Sequence, residues 1–158
     1  MEKIKLLGVQ IDEKLNFTSH ISELCTKASQ KVGILVRLRN LIPCDAKLSF
    51  YKSSILPHLT YCHLIWHFCK ASDRRKLERI QERSLRAVYK TRSASYQELL
   101  HRAKLPKLYN RRLQDIATLM FKVKHSFVPV NISDLFNLKH TQYNLRNSDF
   151  ELPRFETV

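Results

Sequence analysis

Residues 72–92 read SDRRKLERIQERSLRAVYKTR, the most strongly patterned stretch of the chain. Winding it at about 100° per residue gathers small and apolar side chains on one face: Leu77, Ile80, Ser84, Ala87 and Val88. The opposite face carries five cations, here called the basic stripe: Arg75, Arg79, Arg83, Arg86 and Lys90. Ser72 is a suitable N-cap, and Asp73 suits the positive end of a helix. The stretch therefore predicts one amphipathic helix packed against a core.

The positive charge of the chain is concentrated around this helix. The formal net charge is +14, and residues 70–124 hold 16 Lys and Arg against 5 Asp and Glu. This excess indicates an anionic partner, and we expect RNA or DNA bound through its phosphates, independently of sequence. The alternative is a solvated helix face, in which pairs such as Glu82 with Arg86 only support the helix. We favour phosphate contact because Glu78 and Glu82 both lie on one flank of the stripe.

The rest of the chain predicts mainly helices. It is 44% apolar and contains only 2 glycines and 5 prolines, a composition that suits a helical domain. A long helix is expected to end before Pro43, and the next to be kinked or ended at Pro57. Ser95 begins a capping-box sequence that predicts a short helix. The last long helix is expected between Pro106 and Pro129.

The N-terminal segment KIKLLGVQID, residues 3–12, alternates enough to predict one β-strand, for which nothing later in the chain except the tail offers a partner. Asp12 at its end is read as a turn residue. The predicted fold class is therefore all-α, a helical bundle of four to six helices with one N-terminal β-strand and an extended C-terminal tail. The predicted domains are a strand and loop, a helical domain and a tail, at residues 1–17, 18–128 and 129–158.

Cys62, His63, His67 and Cys69 form the one metal-like group, but on a helix they do not converge on one ion. We therefore predict no metal and read the cysteines as reduced thiols, with Trp66 in the core between helices. No catalytic motif, phosphate-binding glycine loop, signal peptide or membrane-spanning run is seen. The sequence predicts no cofactor, no small-molecule substrate and no membrane partner, and an intracellular protein of the nucleus or cytoplasm.

Several blocks of the chain, in this order, resemble the C-terminal part of reverse transcriptases from LINE-type, non-long-terminal-repeat retrotransposons. The blocks are KLLGVQIDEKLNF (5–17), HISELCTKASQKVGILVRLRNLIP (20–43), ILPHLTYCHLIWHFC (55–69), LERIQERSLRAVY (77–89), LPKLYNRRLQDIATLMFKVKH (105–125) and YNLRNSDF (143–150). In such enzymes the strand after the catalytic palm helps to hold the primer end, and the following helices form a thumb that grips the template and primer duplex. The resemblance implies primer-grip roles for Leu7, Gly8 and Val9. It also implies that Lys27, Lys31 and the basic stripe face the duplex.

The paired aspartates of the reverse transcriptase palm do not occur in this chain. Without them two magnesium ions cannot be held at the primer end, so we expect that the chain is not an enzyme by itself. The sequence-based interpretation is a fragment of a retrotransposon RNA-directed DNA polymerase that keeps sequence-independent RNA or DNA binding. The alternatives are a helical protein–protein interaction module that binds a partner through an exposed apolar face, and a decayed gene product without a selected activity.

Overall fold

The computed structural model describes residues 3–136, which are mostly helical. In chain order the elements are β1 (Lys3–Leu6), β2 (Val9–Asp12), α1 (Thr18–Leu38), α2 (Cys44–Phe50), a π-helical segment (Tyr51–Ile55), α3 (Leu56–Thr60), α4 (Ala71–Tyr89), α5 (Tyr96–Ala103), α6 (Leu108–Lys124) and α7 (Val130–Ser133). Because α2, the π-helical segment and α3 follow one another without a break, the described residues form six separate helical rods. The predicted all-α bundle is confirmed.

The N-terminal segment forms two strands, so the prediction of one strand is wrong. β1 and β2 pair with each other in an antiparallel hairpin, with Leu6 opposite Val9 and Lys3 opposite Asp12. The turn between them is Leu7–Gly8, and both residues have positive φ, 46° and 86°. Two-residue turns of this hand match the twist of paired strands, and glycine adopts the conformation without strain. The sequence did not predict this turn, because leucine rarely adopts a positive φ such as that of Leu7.

The helix does not end at Pro57, one of the two outcomes predicted for this proline, but continues to Thr60. Proline removes one backbone donor and its ring crowds the preceding turn. In the π-helical segment just before it, the Leu56 N–H donates to the Tyr51 carbonyl, five residues back. This wider turn replaces the ordinary α-helical pattern where the proline disturbs it, so the rod continues.

The core lies between α1 and α4, which pack against each other along their lengths. Val32 and Leu35 of α1 and Leu77 and Val88 of α4 are completely buried. The two helices run in the same direction. Their N-terminal halves lie close together, because the charge of Lys76 in α4 lowers the pKa of the Cys25 thiol in α1, against the larger rise caused by burial. Their C-terminal ends also lie close together, because residues of both line one cleft.

Side-chain hydrogen bonds cap the start of α5, whereas the start of α4 has no side-chain cap. Ser95 and Glu98 form the predicted capping box: the Ser95 hydroxyl accepts from the Glu98 N–H at 3.2 Å, and the Glu98 carboxylate accepts from the Ser95 N–H at 3.0 Å. The prediction of Ser72 as the N-cap of α4 is wrong by two residues, because the helix begins at Ala71 and its N-cap is Lys70. Lys90 ends α4 in a left-handed conformation, with φ of 52°.

The chain divides into two compact units, residues 1–113 and 114–158. The first contains the hairpin and α1 to α5, with Asp12 in the predicted turn role: its carboxylate accepts from the N–H groups of Lys14 and Asn16 at 3.1 and 2.9 Å. The described part of the second contains most of α6 and the short α7. The predicted tail from residue 137 onward, including YNLRNSDF, lies outside the described residues.

Candidate nucleic-acid interface

α4 presents the basic stripe on its outer face because its apolar residues are drawn into the core. Leu77, Leu85 and Val88 have no exposed surface at all, and the opposite face is left to the cations. Arg75, Arg79, Arg83 and Lys90 are exposed, whereas Arg86 is half-buried. The structure therefore brings all five predicted residues onto one ridge, as the helical periodicity predicted.

Glu78 interrupts the positive ridge less than its position in the sequence suggests. One carboxylate oxygen accepts from the Tyr96 hydroxyl at 2.5 Å, and the other accepts from the Tyr109 N–H at 3.0 Å. Burial, and then this bond to Glu78, raise the pKa of the Tyr96 hydroxyl, so Tyr96 stays a neutral donor. Glu78 thus ties α4 to the starts of α5 and α6 on the flank of the ridge.

Arg86 is engaged within the fold. Its guanidinium donates to Glu82 at 2.7 Å and to the Arg92 carbonyl at 2.7 Å. The bond to the Arg92 carbonyl holds the loop after α4 beside the helix. Among residues 3–136, four cations of the ridge have no carboxylate partner: Arg75, Arg79, Arg83 and Lys90.

A cleft of about 420 Å³ lies on the α1 side of the ridge, and we call it the arginine cleft. It is lined by Val36, Arg39, Asn40, Arg83, Arg86, Ala87, Lys90, Thr91 and Arg92. Five of these nine residues are cations and none is an acid. The arginine cleft therefore extends the positive ridge toward the C-terminal end of α1.

A second cleft, of about 490 Å³, lies on the α5 side and is called the tyrosine cleft. It is lined by Ala71, Arg74, Arg75, Glu78, Arg79, Glu82, Tyr96, Lys107 and Tyr109. The Arg74 guanidinium lies 5.1 Å from the centre of the Tyr109 ring, and His67 stacks on that ring at 5.8 Å. Because two groups already contact the Tyr109 ring, we do not expect a nucleobase to stack there. The tyrosine cleft contributes cations together with two acids.

Lys27 and Lys31 are not brought together with the ridge. Burial lowers the pKa of His58 in α3, and the charges of Lys31 and Lys27 lower it further, so both lysines lie on the α3 side of α1. Lys27 also pairs with Glu23 at 2.5 Å. Neither lysine lines either of the clefts beside the ridge. A duplex-facing role for these two lysines stays a prediction, and it belongs to a different surface from the ridge.

Leu7, Gly8 and Val9 occupy the hairpin turn and the start of β2. Leu7 is 82% exposed, whereas Val9 is buried in the core. The Leu7 carbonyl accepts from the Tyr61 hydroxyl at 2.7 Å, which joins the turn to the segment after α3. A Cβ on Gly8 would lie 3.8 Å from the Tyr61 ring. Their primer-grip role stays a prediction.

The segment with Trp66 forms consecutive turns in the core and not a helix. Trp66 is fully buried, as predicted, and its indole N–H donates to the Tyr61 carbonyl at 3.1 Å. His63 and His67 are buried beside it. Among residues 3–136, no group of three or more His, Cys, Asp or Glu side chains is placed to hold a metal ion, and the four cysteines are free thiols.

Sequence reasoning missed two pairs of cations that line the clefts: Arg39 with Arg92, and Arg74 with Lys107. Arg39 and Arg92 lie beyond helix ends, where helical periodicity makes no statement about direction. The local excess of basic residues was the one signal for these cations, and it does not say where their side chains lie.

Within the described part of the chain, no helix is both long enough and apolar enough to cross a bilayer.

Comparison with known proteins finds similarity to polymerases of mobile elements. The chain is 29% identical over 87 residues to a probable RNA-directed DNA polymerase from transposon X-element of Drosophila melanogaster. It is 30% identical over 87 residues to the RNA-directed DNA polymerase from mobile element jockey of the same fly. Each match covers 53% of this chain and about a tenth of the relative's length. No family model matches, and no experimentally determined structure matches.

These matches show that the chain is related to a region of retrotransposon RNA-directed DNA polymerases, as the resemblance of its sequence blocks implied. They overturn the prediction that the chain is not an enzyme. That prediction was based on the absence of the paired palm aspartates from a sequence of 158 residues. The relatives that it matches are themselves named polymerases, and the shared region is a small part of each.

Proposed function

We propose that the chain is a helical, thumb-like region of a retrotransposon reverse transcriptase that binds RNA or DNA duplexes through the ridge of α4. The observation that carries this proposal is a row of exposed cations that have no carboxylate partner among residues 3–136, with a cation-lined cleft on each side. These cations are Arg75, Arg79, Arg83 and Lys90. In the proposed arrangement residues 1–17 lie beside the primer end, residues 18–128 grip the duplex and residues 129–158 form a tail.

Phosphate is the ligand that this chemistry favours. Guanidinium groups bind phosphate oxygens in a bidentate manner and stay charged at every accessible pH. Cations in a row along a rigid helix neutralise successive backbone phosphates, but they do not read base edges. The proposed binding is therefore strong at low salt and independent of sequence.

Salt dependence of duplex binding tests the proposal. If the ridge cations engage phosphates, log K should fall with log salt at a slope of about −0.9 per phosphate, or roughly −3.6 for four contacts. Arg75→Gln with Arg79→Gln should flatten the slope by about 1.8 and weaken binding to unrelated sequences equally. Fluorescence anisotropy on two duplexes of different sequence, each over a salt series, measures both quantities.

A matched control removes the same charge elsewhere. Arg37 and Lys52 are exposed and line neither cleft, so Arg37→Gln with Lys52→Gln should leave the slope near the wild-type value. Both double variants should keep wild-type stability within about 0.5 kcal/mol per site, because exposed positions are tolerant. Equal slopes in the two folded double variants would remove the ridge from the site, and no salt-dependent binding by the wild type would refute the proposal.

A second candidate function is docking of a protein partner, favoured by exposed apolar side chains at the hairpin end of the first unit. Leu7 is 82% exposed, and Ile65 and Phe68 in the turns after α3 are 54% and 92% exposed. The apolar face of α4 is not available for this role, because it is buried. Replacing Phe68 with Ser should abolish partner binding on this reading while leaving the salt slope unchanged, as co-purification and anisotropy would show.

A further inference from the structure

The cations of the arginine cleft come from two separate stretches of the chain, the end of α1 and the C-terminal part of α4 with the loop that follows it. Arg39 follows α1, Arg83 and Arg86 belong to α4, and Lys90 and Arg92 belong to the loop after α4. Such convergence is not a consequence of one amphipathic helix, since it requires the C-terminal ends of α1 and α4 to lie side by side. Like charges held this close repel one another. An anion in the cleft relieves that repulsion.

Ion pairing elsewhere in the first unit shows what the arginine cleft lacks. Lys27 pairs with Glu23 at 2.5 Å, and Lys76 pairs with Asp73 at 2.9 Å, each within one helical turn. No acid lines the arginine cleft, and the neighbouring carboxylate of Glu82 is occupied by Arg86. Four of the five cations of the cleft, all except Arg86, thus have no carboxylate partner among residues 3–136.

The walls of the cleft are held by main-chain contacts. The Arg92 carbonyl accepts from the Arg86 guanidinium at 2.7 Å, and the Arg39 carbonyl accepts from the buried Lys47 ammonium at 3.3 Å. The side chains of Arg39 and Arg92 are both exposed and take no part in either contact. They are therefore free to bind a ligand without unfolding the cleft. Asn40 and Thr91 add neutral polar groups to the lining.

We propose that the arginine cleft is a binding site for a pair of neighbouring phosphate groups, with Arg39 and Arg92 as its principal ligand-binding residues. This inference rests on the proposed function and extends it to residues outside the stripe. The pair of phosphates comes either from consecutive positions of a nucleic-acid backbone or from the polyphosphate of a nucleotide. A cleft of about 420 Å³ is large enough for both.

Inorganic pyrophosphate is the probe for the shared chemistry. Titration into the ¹⁵N-labelled full chain should shift the amide resonances of Asn40, Thr91 and Arg92 in a saturable manner. In Arg39→Gln with Arg92→Gln the affinity should fall at least about tenfold, the equivalent of one charge-assisted hydrogen bond. The control Arg37→Gln with Lys52→Gln, which removes the same charge, should bind pyrophosphate like the wild type.

Two further titrations identify the source of the phosphates. Tighter binding of a single-stranded oligonucleotide than of a nucleoside triphosphate assigns the backbone, and the reverse order assigns the nucleotide. Absence of saturable shifts at the cleft, or equal affinities of the two double variants, would overturn the inference. If Arg39→Gln with Arg92→Gln does not fold, the single variant Arg92→Gln is compared with Arg37→Gln in the same way. Duplex binding by the wild type is judged separately, because it decides the proposed function and pyrophosphate binding decides the cleft.

Discussion

Replacing Arg112 with methionine is expected to stabilise the first unit. Arg112 is 1% exposed, and its guanidinium lies 5.3 Å from the centre of the Trp66 ring. Within residues 3–136 none of its three guanidinium nitrogens has a hydrogen-bond partner. Burial accordingly lowers the pKa of this group. The Arg112 side chain thus fills the space beside Trp66, but its positive charge is poorly solvated.

The expected gain is about 1 to 3 kcal/mol. Removing a cation from water costs several kcal/mol after relaxation, and buried charges replaced by apolar side chains of similar volume often gain about 1–4 kcal/mol. Against this, Arg112→Met loses a cation–π contact worth up to about 2 kcal/mol. The methionine sulfur can contact Trp66 and recover roughly 0.3–1.5 kcal/mol of that loss. The desolvation cost is the largest of these quantities and decides the sign.

Urea denaturation of the purified chain measures the effect. With an m value of about 2 kcal/mol/M, a gain of about 2 kcal/mol raises the midpoint by roughly 1 M. Arg112→Ala serves as the comparison, because it removes the charge but also leaves a cavity and should be roughly 2–5 kcal/mol less stable than Arg112→Met. A midpoint for Arg112→Met below that of the wild type would refute the reasoning, since it would show that the guanidinium is well solvated in the fold.

Three further predictions follow from the contacts of single residues. Ser95→Ala should cost about 1 kcal/mol in urea denaturation, because it removes the cap of α5. Glu78→Gln should cost roughly 1–3 kcal/mol by the same measurement, because the amide has one acceptor oxygen in place of two: with that oxygen on the Tyr109 N–H, the Tyr96 hydroxyl loses its charged acceptor and faces the amide NH2 group. The pKa of His20 is lowered by burial, and its Nδ1 accepts from the Gln10 N–H. The unfolded chain therefore takes up the proton first, so stability should fall as the pH drops below about 6.5, and His20→Asn should reduce that fall between pH 7 and pH 5.

Helical periodicity predicted the stripe and the buried face of α4 because both depend on one residue spacing. Leu77, Ile80 and Val88 are buried, and the cations lie opposite them. The capping box at Ser95 was equally predictable, since its two hydrogen bonds connect residues three apart. Features of this kind are local, and sequence determines them directly.

The hairpin and the arginine cleft were not predictable in the same way. Leu7 in a left-handed conformation is tolerated because Gly8 follows it and Tyr61 holds its carbonyl, a contact over 54 positions in the sequence. The cleft depends on the parallel packing of α1 and α4, which brings Arg39 near Arg92. Pairings between distant residues are set by tertiary packing, and no window of sequence contains them.

The π-helical segment at Tyr51–Ile55 also has a consequence for how related sequences are aligned. A π turn accommodates one more residue than the α-helical turn that it replaces. In a rod that is α-helical throughout, deleting one residue would turn the part before the deletion by about 100° relative to the part after it. Here a deletion within 51–55 can convert the π turn into an α-helical turn, which absorbs that rotation between Cys44–Phe50 and Leu56–Thr60. Relatives that lack one residue here should keep Leu56 and Leu59 on the buried face, and single-residue gaps should therefore be placed inside this segment.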